Sequence, residues 1–418
     1  MNTGRRLTVL LVALAVIGIP AAVLRIGCVG NSCRSDAAAV AAPAPFCSLP
    51  AAVRTLITNG TYDGRSPDVI GVGGSTPVVT DGVSWPSETA SAAAGSVDLA
   101  FVGRGIRNGR LPTGVSLDQV APTLEPLLGS HRPHPEVRAG TAISGVVASG
   151  ARSPLVVLLV EKGMGASGAR PRLGDLGSGV HATGGTAETG SIPNDPIAVE
   201  ATIGTGGLPS QHGITGALIR NPNGNVVHAF GPGSPQPIIA TLGDDLDRTT
   251  GGATKIGLVS TAVGDAGLTG DAWYGTGPVR DRTVPGGKNP AGAVQGFLSK
   301  GWGADATPDL LAVALDGSQR ADNSAVASIL HEVFQAVPDA TAVVTGTGLE
   351  QTAKIATVPT PAGSDAVVGG GVFLDRSDGA TTSAEDVVAS LKADKAQDGS
   401  PLFADAFASY AVRFGRYC

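Results

Sequence analysis

The run Leu155-Val156-Val157-Leu158-Leu159-Val160 (LVVLLV) contains no polar side chain. Such a run is typical of a central strand in a parallel sheet, which is covered on both faces. Five more short apolar runs are strand candidates: Asp68–Val72, Leu99–Val102, Lys255–Val259, Leu310–Leu315 and Ala340–Thr345. Helical patterns separate them, at Ser116–Leu128, Ile238–Asp247, Pro290–Ser299, Ala321–Val337 and Ala384–Ala393. This alternation predicts the α/β class, with a mostly parallel central sheet and helices on both faces.

Two Gly-rich segments, 166–210 and 262–289, show neither helical nor strand periodicity. We expect both to be long loops over one edge of the sheet. Loops at the carboxyl edge of α/β sheets are where ligands usually bind. An ordinary surface loop is the alternative for each segment.

Composition narrows the class of partner. Only 15% of the residues are charged, 61 are Gly, and the net charge is -6. No run of basic residues follows Arg6, which argues against nucleic acid as a partner. Six His and four Cys leave little material for a cluster of soft metal ligands.

The N-terminus carries the pattern of a membrane anchor. Arg5 and Arg6 precede an uncharged, mostly apolar run at 7–24, which as a helix would span about 27 Å, just enough for a thin bilayer. The paired arginines place residues 1–6 in the cytoplasm. We therefore expect a single-pass protein of the cell membrane, with a transmembrane anchor at 7–24, a linker at 25–45 and an extracytoplasmic domain at 46–418. Cleavage of the anchor as a signal peptide would instead give a secreted protein.

Several stretches resemble motifs of one enzyme superfamily. The most specific is Thr205–Ile214 (TGGLPSQHGI). It is similar to the TGxxPxxHGI motif of the type I phosphodiesterase and nucleotide pyrophosphatase branch of the alkaline phosphatase superfamily. The other stretches are similar to strands and helices of that superfamily: Asp98–Gly105, Val115–Leu128 with His134–Gly140, Leu155–Gly165, Pro308–Asp316 and Ala340–Gly348. The resemblance implies an alkaline-phosphatase-like fold and is scattered over most of residues 95–350.

The order of these stretches departs from the family. The sequence APTL at Ala121–Leu124 resembles a segment near the end of the family's domain, whereas here it precedes the first strand. The resemblance therefore implies a circular permutation in which Phe46–Ser149 supplies the closing portion. Permutation requires the original termini to lie close together. We expect 95–143 to pack onto the same core as the parallel strands.

The number and positions of the cysteines are those expected of an exported protein. Cys28, Cys33, Cys47 and Cys418 all lie near a chain end, and an even set in an exported chain indicates disulfides. Four unrelated thiols are the alternative. Since the permutation makes the ends of the domain neighbours, we expect Cys47 and Cys418 to form a disulfide. Cys28 would then pair with Cys33 or stay free.

The resemblance also implies a site at the strand ends. Family enzymes use two metal ions, held mainly by Asp and His, and a Thr or Ser nucleophile. Glu161 stands where the family has its first Asp ligand, and Asp316 matches a later ligand. Both are metal-ligand candidates, and the alternative is that they cap the loops that follow their strands. Ser191 is the nucleophile candidate, although its turn lies five residues too early in the sequence.

The family's imidazole ligands have no counterpart in this sequence. Gly346-Thr347-Gly348 replaces an Asp-His pair, and no His follows His331. His212 is expected to be structural. We therefore expect a catalytically degenerate pseudoenzyme without a cofactor, which binds or organises an envelope partner or a phosphoester ligand.

Two alternatives to the pseudoenzyme remain open. The first is an active metal-dependent phosphodiesterase or phosphatase whose rearranged site holds Zn, Mg or Ca. The second is a structural envelope protein without a pocket. Metal content distinguishes an active enzyme from a pseudoenzyme, and pocket geometry distinguishes both from a structural protein.

Overall fold

The computed structural model describes residues 45–414 except 75, 77, 81–82, 86–94, 167–178, 276–281, 317–323, 349–355 and 378. The chain from Pro45 to Cys418 forms one compact unit. The predicted segments 1–6 and 7–24, the linker up to residue 44, and Cys418 lie outside the described residues. Within the described part, no helix combines the length and the apolar character needed to cross a membrane.

The helices and strands follow one another in the expected α/β alternation. In chain order the helices are α1 (Ala51–Gly60), α2 (Val120–Leu128), α3 (Pro196–Thr205), α4 (Pro209–His212), α5 (Leu242–Thr250), α6 (Pro290–Leu298), α7 (Ser324–Ala336), α8 (Ala384–Ala393) and α9 (Tyr410–Phe414). The strands are β1 (Val69–Gly73), β2 (Val78–Thr80), β3 (Val83–Ser84), β4 (Ser96–Gly103), β5 (Gly109–Arg110), β6 (Leu155–Glu161), β7 (His181–Glu188), β8 (Leu218–Arg220), β9 (Val226–His228), β10 (Ile256–Ser260), β11 (Arg282–Pro285), β12 (Asp309–Leu315), β13 (Thr341–Gly346), β14 (Ala356–Thr357), β15 (Ser364–Val368), β16 (Gly371–Leu374) and β17 (Phe403–Ala408).

A mostly parallel sheet of eight described strands forms the centre, in the order β11-β10-β12-β6-β13-β4-β7-β5. The five strands from β11 to β13 run parallel, and β4 runs antiparallel to its neighbours β13 and β7. The predicted strands Leu155–Val160, Leu310–Leu315 and Ala340–Thr345 thus lie side by side in one parallel sheet, as expected. The apolar side chains of the LVVLLV run are all buried.

Helices cover both faces of this sheet. On one face, Val156 and Leu158 pack with Leu124 of α2 and with apolar residues of α3 and α5. On the other, Val157 and Leu159 pack with residues of α6 and α7. This explains why the β6 sequence has no polar position, because a strand between two layers of helices has no solvent face. Strand β4 belongs to this sheet, and α2 packs in the same core. The prediction that 95–143 packs onto the core of the parallel strands is therefore confirmed.

The two ends of the domain meet in a second, four-stranded sheet. Its order is β15-β16-β1-β17, so β1 near the N-terminus is paired with β17 near the C-terminus. The predicted strand Asp68–Val72 is therefore a strand, but it belongs to this sheet and not to the parallel one. Phe46 and Phe407 hold the ends together, with ring centroids 5.2 Å apart.

Cys47 lies in this region, in the short 3₁₀ turn Pro45–Ser48. It is disulfide-bonded, and since it is the one cysteine of the described residues, its partner lies outside them. The neighbouring Ser48 donates a hydrogen bond to Asp405 of β17, at 3.0 Å. The pairing of Cys47 with Cys418, four residues beyond the end of α9, stays a prediction.

The two segments expected to be long loops contain regular structure, so that prediction is wrong. Segment 166–210 holds β7, α3 and the start of α4, and 262–289 holds the 3₁₀ turn Val263–Leu268 and β11. Helix α3 was not predicted because it is buried on all sides, so its sequence lacks the alternation of apolar and polar residues that marks an amphipathic helix. Its capping residues do mark it: Asp195 accepts from Ile197 and Ala198, Pro196 opens the helix, and Gly206 ends it at φ 67°.

Candidate functional site

Three strands of the parallel sheet end level with one another. Glu161, the last residue of β6, is in register with Leu315 of β12 and Gly346 of β13. Hydrogen bonds join these ends: Lys162 N donates to Leu315 O at 2.8 Å, and Thr347 N donates to Glu161 O at 3.3 Å. Glu161 and Asp316 therefore share the carboxyl edge of the sheet, where α/β proteins place their ligands. Their role as metal ligands stays a prediction.

The residue after Glu161 belongs to a group of buried and half-buried polar side chains. We name this group the Lys162 cluster: Lys162, Asp195, Glu200, Thr261 and Asp265. Lys162 Nζ donates to Thr261 Oγ1 at 2.7 Å and forms an ion pair with Asp265. It lies 4.0 Å from a carboxyl oxygen of Glu200. The side chains of Glu200 and Asp265 are fully buried, whereas that of Lys162 is 14% exposed.

The turn after β10 positions Asp265. Its carboxylate accepts hydrogen bonds from Thr261 N at 2.6 Å, Ala262 N at 2.8 Å and Ser260 Oγ at 3.1 Å. Thr261 Oγ1 also donates to it, at 3.2 Å. Asp265 is thus held by the turn after β10 and pairs with the ammonium group of Lys162.

Glu200 has a different environment. It lies on α3, and its carboxyl oxygens accept no hydrogen bond from the described residues. Burial raises the pKa of Glu200 well above its ordinary value, and the nearby Asp265 carboxylate raises it further, against the opposing effect of Lys162. Burial also raises the pKa of Asp195, against its hydrogen bonds from backbone N–H groups. Burial and the neighbouring carboxylate therefore favour the protonated form of Glu200.

The raised pKa of Glu200 predicts a pH-dependent stability. Below about pH 4.5, both the folded and the unfolded chain bind this proton; between that pH and the raised pKa of the folded chain, only the folded chain does. Stability from this group is therefore present at low pH and is lost as the pH rises toward the raised pKa, by about 1.4 kcal/mol per pH unit. We expect Glu200→Gln, which cannot ionise, to gain stability relative to the wild type as the pH rises above about 4.5 in urea unfolding. Glu136→Gln, at a carboxyl group 68% exposed, is the control. Equal pH slopes for Glu200→Gln and the wild type would contradict the assignment.

Ser191 follows β7, whose last residue, Glu188, pairs with the first residue of β4. Because β4 runs antiparallel to β13, this places the turn of Ser191 on the same edge of the sheet as Glu161. The hydroxyl group, however, is buried, with the residue 1% exposed, and has no hydrogen-bond partner among the described residues. The next side chain, Ile192, packs with Ile57 and Phe407. Among the described residues, Ser191 therefore has no hydrogen-bonded base to activate it, and its burial leaves no access for a substrate in this conformation.

His212, in the motif that resembles the phosphodiesterase branch, is a structural residue, as expected. It is fully buried. Its Nδ1 accepts from Ile214 N at 3.1 Å, so Nε2 carries the proton and lies 3.1 Å from Thr202 Oγ1. Burial lowers the pKa of His212 to about 3, and the positive charge of Arg65 lowers it further. The imidazole is thus neutral, with both nitrogens engaged.

Two stretches that carry the resemblance contact each other. Arg138 donates to the carbonyl oxygen of Thr205 at 3.1 Å, and Arg132 donates to the same oxygen. Gly140 N donates to Gly206 O at 3.1 Å. Both guanidinium groups thus cap the C-terminal end of α3, where the unpaired carbonyls and the helix dipole favour positive charge.

Lys162, Glu200 and Asp265 are not among the site residues predicted from the sequence. Two features of the sequence indicate them: Lys162 directly follows Glu161 at a strand end, and Glu200 is a single acid within an apolar segment.

Of the residues that the structure covers, no three His, Cys, Asp or Glu side chains are grouped to hold a metal ion. Residues 317–323 and 349–355, which follow Asp316 and Gly348 in the sequence, lie outside the described residues. Comparisons with protein-family models, curated proteins and solved structures found no match.

Proposed function

We propose that the chain is a single-pass membrane protein whose extracytoplasmic domain, residues 46–418, is a circularly permuted alkaline-phosphatase-like pseudoenzyme. The mostly parallel sheet, the inclusion of 95–143 in its core, and the pairing of β1 with β17 support this fold proposal. On this proposal the domain binds or organises an envelope partner or a phosphoester ligand. It is held to the membrane through residues 7–24.

The position of Lys162 is the observation that carries the proposal of catalytic silence. Lys162 directly follows Glu161, the position that resembles the family's first metal ligand. Its ammonium group contacts Asp265 and lies 4.0 Å from Glu200. A divalent ion held by these two carboxyl groups would lie within about 4 Å of a fixed positive charge, at which distance like charges repel by several kcal/mol at a protein-like dielectric constant. The lysine thus supplies the positive charge that a metal ion would supply. The buried hydroxyl group of Ser191 supports the same proposal.

One observation favours the alternative of an active hydrolase. Glu161 and Asp316 lie at the same edge of the sheet, on adjacent strands. A Zn, Mg or Ca ion held there, with water completing its coordination, would leave the Lys162 cluster intact. This alternative also requires the turn of Ser191 to open.

Metal analysis and a hydrolysis assay on the full-length chain test the proposal. We expect no stoichiometric Zn, Mg or Ca after purification, and no metal-dependent hydrolysis of bis(p-nitrophenyl) phosphate. Metal-stimulated hydrolysis that both Ser191→Ala and Asp316→Ala abolish would overturn the proposal and support the alternative. Glu136→Ala, at an exposed position remote in sequence from both residues, is the matched control.

A further inference from the structure

A cavity of about 160 Å³ is lined by residues that do not belong to the Lys162 cluster. Its walls come from the turn after β9, the first turn of α5 and the segment that follows the 3₁₀ turn Val263–Leu268. The lining residues are Phe230, Gly231, Ser234, Pro235, Gln236, Pro237, Asp244, Asp271 and Trp273. The volume is below the roughly 300–1,000 Å³ of sites for drug-sized molecules. The cavity therefore has room for a single small ring.

Two residues in or next to the walls of this cavity have strained backbone conformations. Phe230 and Ala272 have φ angles of 60° and 55°, and they are two of the three non-Gly residues with positive φ in the described chain. Each such residue costs about 1–3 kcal/mol and persists where the surroundings enforce it, often at ligand sites. Here Phe230 lines the cavity, and Ala272 lies between the lining residues Asp271 and Trp273.

Hydrogen bonds fix the orientation of the indole of Trp273. Its ring N–H donates to Pro237 O at 2.9 Å, and its backbone N–H donates to Asp244 at 3.3 Å. The indole N–H is therefore already used, and Tyr274 contacts the ring edge-to-face with centroids 4.8 Å apart. What remains for a ligand is the rest of the aromatic surface. The negative face of an aromatic ring attracts partly positive hydrogens, such as those of C–H groups beside oxygen.

Carboxylate acceptors supply the polar part of the lining. Asp244 accepts from Thr241 N, Thr241 Oγ1 and Trp273 N, which leaves part of its acceptor capacity unused. Burial raises the pKa of Asp244 to about 6, so the group is still mostly ionised at neutral pH. Asp271, at the exposed rim, adds a second carboxyl group. Ionised carboxylates accept hydrogen bonds from hydroxyl groups and donate none.

We propose that this cavity binds one sugar ring, with its C–H face on Trp273 and its hydroxyl groups donating to Asp244 and Asp271. A sugar combines an apolar face with a rim of O–H donors, which matches an aromatic surface beside acceptors. The size of the cavity limits the ligand to one ring, either free or at the end of a glycan. The proposal is independent of the pseudoenzyme assignment, because it uses none of the same residues.

Tryptophan fluorescence can report this binding site selectively. Trp85 and Trp302 are 1% and 5% exposed and pack in hydrophobic clusters that contain none of the residues lining the cavity, whereas Trp273 lines it. The full-length chain, in a detergent without a sugar headgroup, is titrated with D-glucose, D-galactose, D-mannose and L-arabinose. We expect at least one sugar to change the emission saturably. Trp302→Phe should keep this response, and Trp273→Phe should abolish it.

Calorimetry with the responding sugar then measures the contributions to affinity. Trp273→Ala and Asp271→Asn should each raise the dissociation constant about tenfold, as expected for the loss of one aromatic contact or one charge-assisted hydrogen bond. The inference is overturned if no sugar gives a saturable response, or if Trp273→Ala and Asp271→Asn both bind unchanged. It is also overturned if choline binds and the sugars do not, since the cavity would then be a site for organic cations.

Discussion

Replacing Lys162 by methionine is expected to destabilise the protein by about 3–5 kcal/mol, because the fully buried carboxylate of Asp265 would lose the cation that balances it. Methionine keeps much of the side-chain volume, so the loss is mainly electrostatic. Urea unfolding at pH 7 of the full-length chain measures the change. Arg104→Met is the matched control, since Arg104 and Asp339 form an ion pair with exposed side chains, 49% and 65%, and exposed pairs contribute about 1 kcal/mol or less.

A second substitution distinguishes lost charge balance from lost packing. In the Lys162→Met background, Asp265→Asn removes the unbalanced charge and keeps a side chain that accepts hydrogen bonds from the Thr261–Ala262 turn. We expect the double variant to be more stable than Lys162→Met alone, as a coupled pair requires. If the double variant is less stable than both single variants, the charge argument for the Lys162 cluster fails.

Removing Arg138 is the second change with a large expected effect. Its guanidinium group donates to the carbonyl oxygens of Pro133, His134, Thr205 and Ala240, at 3.0–3.3 Å. It also pairs at 3.2 Å with Asp245, whose side chain is fully buried. Arg138→Met leaves the four carbonyl groups without this donor and leaves Asp245 with less compensation. We expect a loss of about 3–5 kcal/mol in unfolding experiments.

The geometry of Arg138 also predicts that lysine cannot replace it. A guanidinium group presents five donors in a planar fork, whereas an ammonium group is a compact charge that cannot reach all these acceptors at once. Arg138→Lys should therefore recover less than half of the lost stability. Arg248→Met is the control, because Arg248 is exposed and lies over the ring of Tyr274 at 5.2 Å. If Arg248→Met destabilises as much as Arg138→Met, the specific role of the Arg138 contacts is refuted.

Much of the scaffold follows from local sequence patterns. The LVVLLV run has to be a strand without a solvent face, and the structure places β6 between β12 and β13 under two layers of helices. Helix α8 lies at its predicted bounds, because its amphipathic pattern and the capping residue Ser383 are both local. Helix α5 begins at Leu242 and not at Ile238, because Thr241 caps it by accepting from Asp244 N.

Local sequence patterns did not predict the elements whose structure depends on strand pairing or on complete burial. The sequence of β7, HATGGTAE, has few apolar residues, yet it forms an eight-residue ladder with β4. Helix α3 is buried on every side and shows no amphipathic pattern. A single sequence window contains no information about the partners that satisfy these backbones.

The candidate site also combines features that local sequence predicts with features that depend on tertiary contacts. The strand patterns place Glu161 and Asp316 at the carboxyl edge, because a residue that follows a parallel strand must lie there. The contacts of Lys162 with Asp265 and Glu200 join parts of the chain that lie 38 to 103 residues apart in sequence. No spacing rule brings these residues together; the packing of α3 and the turn after β10 against the end of β6 does. Distance and burial set the pKa of a carboxyl group, so only the tertiary structure decided that the pKa of Glu200 is raised.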